Sequence, residues 1–219
     1  MTDHLLVRWL ILAGGRIAAA RGHLTDLDAA IGDGDHGINL DRGFRELARR
    51  FEAGPPRNDS PPAMLEGVGR VLLGTVGGAS GALYGHGFQR AGAALLALDG
   101  GTAPPDQRSR EERAVMAFGA AVDAIATLGR AKTGEKTMLD ALVPALGVFT
   151  AAIGAGASLP LAARRAAGAA EAGAEATAPL VAMKGRASYL GERSIGHLDP
   201  GAVSSAILLR ALADAAAEG

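Results

Sequence analysis

The chain has 219 residues, enough to bury a core unaided, and no cysteine, which excludes disulfide frameworks, thiolate metal sites and cysteine nucleophiles. Its 22 basic and 23 acidic residues leave a net charge of -1, which argues against a nucleic-acid partner held by bulk charge. Hydrophobic residues at 48% exclude wholesale disorder, and aromatics at only 4% beside abundant alanine favour helices over strands.

Residues 5–13 are apolar but contain Arg8 and are too short to span a membrane. Asp3 stands where a secretion signal carries positive charge, so a cytoplasmic chain without membrane attachment is expected. The segment reads as the start of a first helix over 3–21, with Leu6, Leu10, Ala13 and Ile17 at helical spacing. A polar, glycine-broken stretch follows over 22–37, and a second helix over 38–53 carries Leu40, Phe44, Leu47 and Phe51 on one face. After a proline-rich loop over 54–62, Ser60 caps a third helix that has Pro61 and Pro62 in its first turn and ends near Gly74. A glycine-rich loop over 74–81 leads to helix four over 80–98, and a loop over 99–108 leads to helix five over 109–129. Helix six is expected from Thr137 to Phe149 and helix seven from Ser158 and Pro160 to Met183. An irregular stretch over 184–200 precedes helix eight, capped by Asp199 with Pro200 in its first turn. No strand, fixed-period repeat or composition break is apparent, so the expectation is an all-α chain forming a single domain over 1–219. In an up-and-down helical array alternate loops share one end. The loops over 22–37, 74–81, 130–136 and 184–200 are then expected at one rim.

The first of these loops is the most informative. Asp28, Asp33 and Asp35 lie within eight residues, with no Lys or Arg between Arg21 and Arg42. Carboxylates grouped without a cation repel, and hard divalent ions such as Mg²⁺ take such oxygens together with phosphate oxygens and water. Gly-Asp-Gly-Asp-His-Gly over 32–37 matches a dinucleotide fingerprint literally, but no strand precedes it and two aspartates would repel a pyrophosphate. A calcium loop fails as well, because Asn39 or Phe44 falls where its twelfth-position acid is required. His36 reads either as a hydrogen-bonding partner for a bound anion or as a cap for the next helix. Ala79, Ser80 and Gly81 open a helix, which suits either an anion at the free N–H groups or close helix packing through small residues. Residues 129–141 nearly spell a phosphate-binding P-loop, but Glu135 replaces its lysine and no strand precedes it. Lys132 and Lys136 read as solvated, and Met138 as core. Lys184, Arg186, Arg193 and His197 make the last stretch basic: it either faces phosphates or pairs with Glu192 and Asp199. Acids on one loop, a helix start on a second and cations on a fourth together suit a metal–polyphosphate site for phosphoryl transfer.

Four segments in order, LDAAIGDGDHGINLDRGF (27–44), GGASGALYG (77–85), GEKTMLDAL (134–142) and GRASYLGERSIGHLDPGA (185–202), resemble the L subunit of dihydroxyacetone kinases. The resemblance implies an antiparallel eight-helix barrel with the nucleotide at one rim. It implies Asp28, Asp33 and Asp35 as ligands of two Mg²⁺ ions, and His36, Gly37, Ile38 and Asn39 as a nucleotide-contacting stretch. Ser80 and Gly81 match the phosphate-binding helix start, Gly129 and Met138 positions near adenine, Arg186 the phosphate-side catalytic arginine, and Asp199, Pro200 and Gly201 the last nucleotide contact. Glu135 departs from the family's usual aspartate, keeping the charge on a longer side chain.

The same resemblance implies ADP as a bound coenzyme, rephosphorylated by a phosphohistidine-carrying M subunit that draws on phosphoenolpyruvate. The phosphoryl would then pass to dihydroxyacetone on a separate K subunit, and a chain of this length fits a dissociated subunit. The alternatives are a kinase subunit that exchanges ADP for ATP and serves dihydroxyacetone or a related sugar, and a regulatory module that reports nucleotide state to a transcription regulator. A homodimer without nucleic acid or membrane partners is expected.

Overall fold

The computed structural model describes residues 3–52, 60–99 and 108–218. Among them are eight α-helices, a 3₁₀ segment over Arg186–Ser194 and no strand. The helices are α1 (Asp3–Ile31), α2 (His36–Glu52), α3 (Pro61–Thr75), α4 (Gly78–Asp99), α5 (Arg110–Gly129), α6 (Leu139–Gly154), α7 (Leu159–Glu175) and α8 (Pro200–Ala217). Each packs on its neighbours in the chain, and α8 returns onto α1, so the packing order closes into a ring. Much of the expected proline-rich loop over 54–62 and of the loop over 99–108 lies outside the described residues.

Caps explain several helix starts. Ser109 and Glu112 form a reciprocal capping box at α5. Asp199 accepts the Ala202 N–H at α8, and Pro61 and Pro200 occupy first-turn positions where no N–H is needed.

The alanine content is used where helices approach closely. Ala162, Ala163, Ala166, Ala167, Ala170 and Ala174 form a buried stripe on α7, which packs against α6 and α8. The α1–α8 seam is pinned by the Trp9 indole donating to the Leu208 carbonyl at 2.9 Å and by an Arg16–Asp214 ion pair. Seven of the eight helices line an apolar cavity of about 120 Å³, walled by Trp9, Leu65, Phe88, Phe149 and Leu208 among others. No helix among the described residues is long and apolar enough to cross a membrane.

Several boundaries differ from the sequence expectation, among them α6, which runs from Leu139 to Gly154 rather than from Thr137 to Phe149. Helix α1 continues past residue 21 to Ile31, because Leu24 and Ile31 keep the apolar stripe running and the space beside Gly22 is open. Asp28 therefore sits on a helix rather than in a loop, and α2 begins at His36 rather than residue 38. Helix α7 stops at Glu175, short of Met183. Pro179 has no N–H with which to continue the helix, and the carbonyls of Thr177, Ala178 and Leu180 converge on a lysine side chain.

Candidate functional site

The first turns of α2, α4 and α8, the N-cap and first residue of α6, and the last turns of α1 and α5 line one cleft of about 460 Å³. Helices α2, α4, α6 and α8 begin there, α1 and α5 end there, and residues of the four expected loops meet at one rim. Helix N-termini present unpaired N–H groups and a positive dipole end, so the cleft is prepared for anions.

Against that positive background sit the three aspartates. Ligand oxygens of Asp28, Asp33 and Asp35 lie within 4.8 Å of one another. Asp28 Oδ2 accepts the backbone N–H groups of Asp35 at 2.8 Å and His36 at 3.1 Å, so a carboxylate from α1 caps α2 and fixes the turn carrying the other two acids. Gly32 makes room for this arrangement, since a Cβ there would stand 2.2 Å from Asp28 Oδ1. Asp33 is the exposed member and pairs with Arg186 at 3.1 Å. Three carboxylates converging beside one arginine fit a divalent cation: the donors are hard oxygens and their charge exceeds what the arginine offsets.

Of the residues singled out in the sequence, Asp28, Asp33, Asp35, His36, Ser80, Gly129, Met138, Arg186, Asp199, Pro200 and Gly201 line the cleft. Gly37, Ile38, Asn39 and Gly81 do not. Gly37 lies where α2 crosses α1, and a Cβ there would stand 2.2 Å from the Arg21 carbonyl oxygen. A Cβ at Gly81 would stand 2.0 Å from the Val76 carbonyl oxygen, so close backbone packing accounts for this glycine. Asn39 is buried and accepts from Arg42 at 2.6 Å, while Ile38 is exposed. Leu83, Ile125, Leu128 and Ala131 join Gly129 and Met138 in a more apolar stretch of the cleft.

His36 is buried, and its Nε2 lies 2.9 Å from the Ser204 hydroxyl. Burial lowers its pKa despite the nearby charges of Asp28 and Asp35, so the ring is neutral at pH 7. Ser204 also meets the Tyr84 hydroxyl at 2.7 Å, and Tyr84 meets Ser205 at 2.8 Å. Burial pushes the Tyr84 hydroxyl up to about 12, partly offset by its serine hydrogen bonds. This network links α2, α4 and α8 beneath the cleft and was not visible in the sequence, where Tyr84 and the two serines are ordinary helix residues.

The motif over 134–140 owes its shape to Asp140. Its carboxylate accepts the Gly134 N–H and, at 2.7 Å, the Thr137 N–H, which closes a turn with Gly134 at φ 89° and Lys136 at φ 59°. Lys136 is 1% exposed, so the expectation of a solvated lysine is corrected. Its ammonium is solvated by backbone carbonyls instead of water.

Asp199 stands on the cleft wall with its carboxyl pushed up to about 7. Burial is the main cause, the charges of Asp140 and Asp28 add to it, and the Ala202 N–H and Lys136 oppose it. A proton held up to pH 7 in the folded chain leaves at pH 3.8 in the unfolded one. This stability is complete below about pH 4 and is lost as pH rises through 7. His36 acts oppositely below its usual 6.5, where stability is lost as pH falls. Melting curves of the nucleotide- and metal-free protein and of Asp199→Asn separate the two effects. The variant gains on the wild type between pH 5 and 7.5, and a constant difference across that range would refute the assignment.

Carboxylates grouped for a divalent cation, N-terminal helix ends and a facing arginine define a cleft suited to a metal-chelated polyphosphate. The chain belongs to the DAK2 domain family, whose model matches residues 30–214. It is 38% identical over 213 residues to the ADP-binding subunit DhaL of the PEP-dependent dihydroxyacetone kinase of Escherichia coli, covering 97% of each chain. It is 39% identical over 190 residues to the L-erythrulose 1-kinase of Mycolicibacterium smegmatis, covering 86% of this chain and 31% of that one. Among solved structures, the C. freundii dihydroxyacetone kinase in complex with AMP-PNP and Mg²⁺ is similar at TM-score 0.72 and 30% identity. That likeness covers 96% of this chain and 33% of the enzyme, so the chain spans about a third of it.

Proposed function

We propose that this chain, acting as one domain, is the ADP-binding subunit of a dihydroxyacetone kinase. The observation that carries this reading is the end-to-end match to an ADP-binding subunit of that enzyme. Asp28, Asp33 and Asp35 would hold Mg²⁺, for which two ions are expected, against the nucleotide phosphates. Bound there, the metal draws charge from the transferring group and fixes the phosphate oxygens. The N–H groups of Gly78, Ala79 and Ser80 cradle phosphate oxygens, and the Gly129–Met138 stretch offers an apolar seat for the base. Arg186 faces the acids and stabilises charge on the phosphoryl group in flight.

In this reading a phosphohistidine M subunit transfers its phosphoryl to a terminal oxygen of bound ADP, and the histidine nitrogen leaves. A triose hydroxyl on the K subunit then attacks the γ-phosphorus, ADP leaves, and the hydroxyl proton passes to solvent or a partner base. No residue of this chain is covalently modified. The similarity to an L-erythrulose kinase favours a second reading, in which the site exchanges ADP for ATP and the acceptor is another ketose.

The nucleotide released from protein purified without added nucleotide separates the two. Near-stoichiometric ADP surviving dialysis against Mg²⁺ is the expected result and supports the coenzyme reading. An empty protein that binds ATP and ADP reversibly supports the exchanging kinase, and one that binds neither overturns both.

A further inference from the structure

Lys136 is a charged side chain buried away from solvent in a turn of its own. Its Nζ donates to the Thr177 carbonyl at 2.7 Å, to that of Leu180 at 3.2 Å and to that of His197, with the Ala178 carbonyl at 3.4 Å. An ammonium has three protons. All are directed at backbone oxygens, so none remains for a phosphate, although the residue borders the cleft. Burial lowers the pKa of the ammonium, and the charges of Asp199 and Asp140 oppose that shift.

The carbonyls come from both ends of one segment. Thr177, Ala178 and Leu180 begin the strap between α7 and α8, and His197 ends it. Between those ends the strap carries Lys184, Gly185, Arg186 and Ala187 into the cleft. Other bonds draw the same ends together: Gly196 N–H to the Ala178 carbonyl at 2.8 Å, and Asp199 N–H to Thr177 Oγ1 at 2.9 Å. The Met183 N–H bonds the Glu135 carbonyl at 3.1 Å, tying the strap to the turn that carries Lys136. A left-handed backbone at a non-glycine residue costs about 1 kcal/mol, and burying an ammonium costs more. Both costs fall on a residue whose side chain reaches the two ends of the strap at once.

We propose that Lys136 is a positioning residue: its ammonium serves as a fixed internal cation that cinches the strap, and thereby sets Arg186 and the N-terminus of α8 against the bound nucleotide. The inference deepens the nucleotide-binding reading and rests on it for its functional half. Because strap and ammonium are joined through carbonyls, the positive charge and its reach both matter, while specific contact with ligand does not.

The absence of cysteine permits a direct test. Lys136→Cys is alkylated in denaturant with bromoethylamine, which restores an ammonium at lysine length, or with bromopropane, which leaves a neutral chain of that length, and is then refolded. Hydrogen exchange at Ala182, Met183 and Gly196 reports the strap, and titration with Mg²⁺ and ADP reports the cleft. The expected result is fast strap exchange and roughly 10- to 100-fold weaker ADP binding for the propyl form, with recovery of both in the aminoethyl form. Leu10→Ala, a core change in α1 well away from the rim, serves as the control: it lowers melting temperature without weakening ADP binding.

Equal behaviour of the two alkylated forms overturns the proposal. If the neutral form fails to refold, the wild type decides: strap amides exchanging like an unstructured peptide overturn it, and slow collective exchange with recovery in the aminoethyl form supports it. A wild type that binds no ADP defeats the nucleotide reading, while strap exchange still decides whether Lys136 cinches the strap.

Discussion

Asp33→Asn and Asp35→Asn are each expected to keep the fold and to weaken Mg²⁺-dependent ADP retention by roughly 100-fold or more, with phosphoryl transfer lost accordingly. The reasoning is electrostatic. Without a cation the three carboxylates repel one another, so removing one leaves the metal-free protein as stable as before or more so. With a cation present, each lost carboxylate removes a charged ligand. Stability and binding therefore move independently or in opposite directions, which a general unfolding effect cannot reproduce. The two variants differ usefully, because Asp33 also pairs with Arg186, whereas Asp35 makes no ion pair among the described residues. Asp28 is the poorer choice, since its carboxylate also caps α2 and its loss would disturb the turn itself. Melting curves with EDTA and with Mg²⁺, beside equilibrium dialysis of ADP, check the result. Normal ADP retention by folded variants would remove the metal assignment.

The parts of this molecule written in local chemistry were legible in the sequence. Ser60 and Asp199, each followed by a proline, mark helix starts in the sequence; Asp199 accepts the Ala202 N–H, whereas Ser60 holds the N-cap position without a side-chain cap bond. The acid cluster was legible because three carboxylates without a local cation are costly unless something binds them. The meeting of four loops at one rim followed from alternation alone. What escaped was decided by partners distant in sequence. Lys136 looks like any surface lysine until residues 41 to 61 positions away supply its carbonyls. Tyr84 gains its role from Ser204 and Ser205, which lie 120 and 121 positions away. The end of α1 was misplaced for the opposite reason: Gly22 is a local breaker, and the packing of Leu24 and Ile31 overrode it. Asp140 was the one missed residue with a usable local signal, an acid three residues after Thr137 and six after Gly134 in a glycine-bearing turn.

Arg186→Ala is expected to lower the rate of phosphoryl transfer by roughly 100- to 1000-fold while leaving the melting temperature close to wild type. The arginine side chain is 70% exposed and its partner Asp33 is 35% exposed. An ion pair in such solvent contributes about 0–1 kcal/mol, so the fold has little to lose. In the proposed reading the guanidinium acts in the reaction, where negative charge grows on the oxygens between donor and acceptor and a planar, permanently charged group can meet two of them at once. Interactions that strengthen only as charge develops appear in kcat rather than in ground-state affinity. ADP affinity should therefore fall much less than turnover. Arg186→Lys keeps the charge without the fork and is expected to recover only part of the rate. Melting, ADP titration and single-turnover transfer on the same preparations give the comparison. A large drop in melting temperature would make Arg186 structural, and an equal loss in affinity and rate would make it a ground-state phosphate anchor.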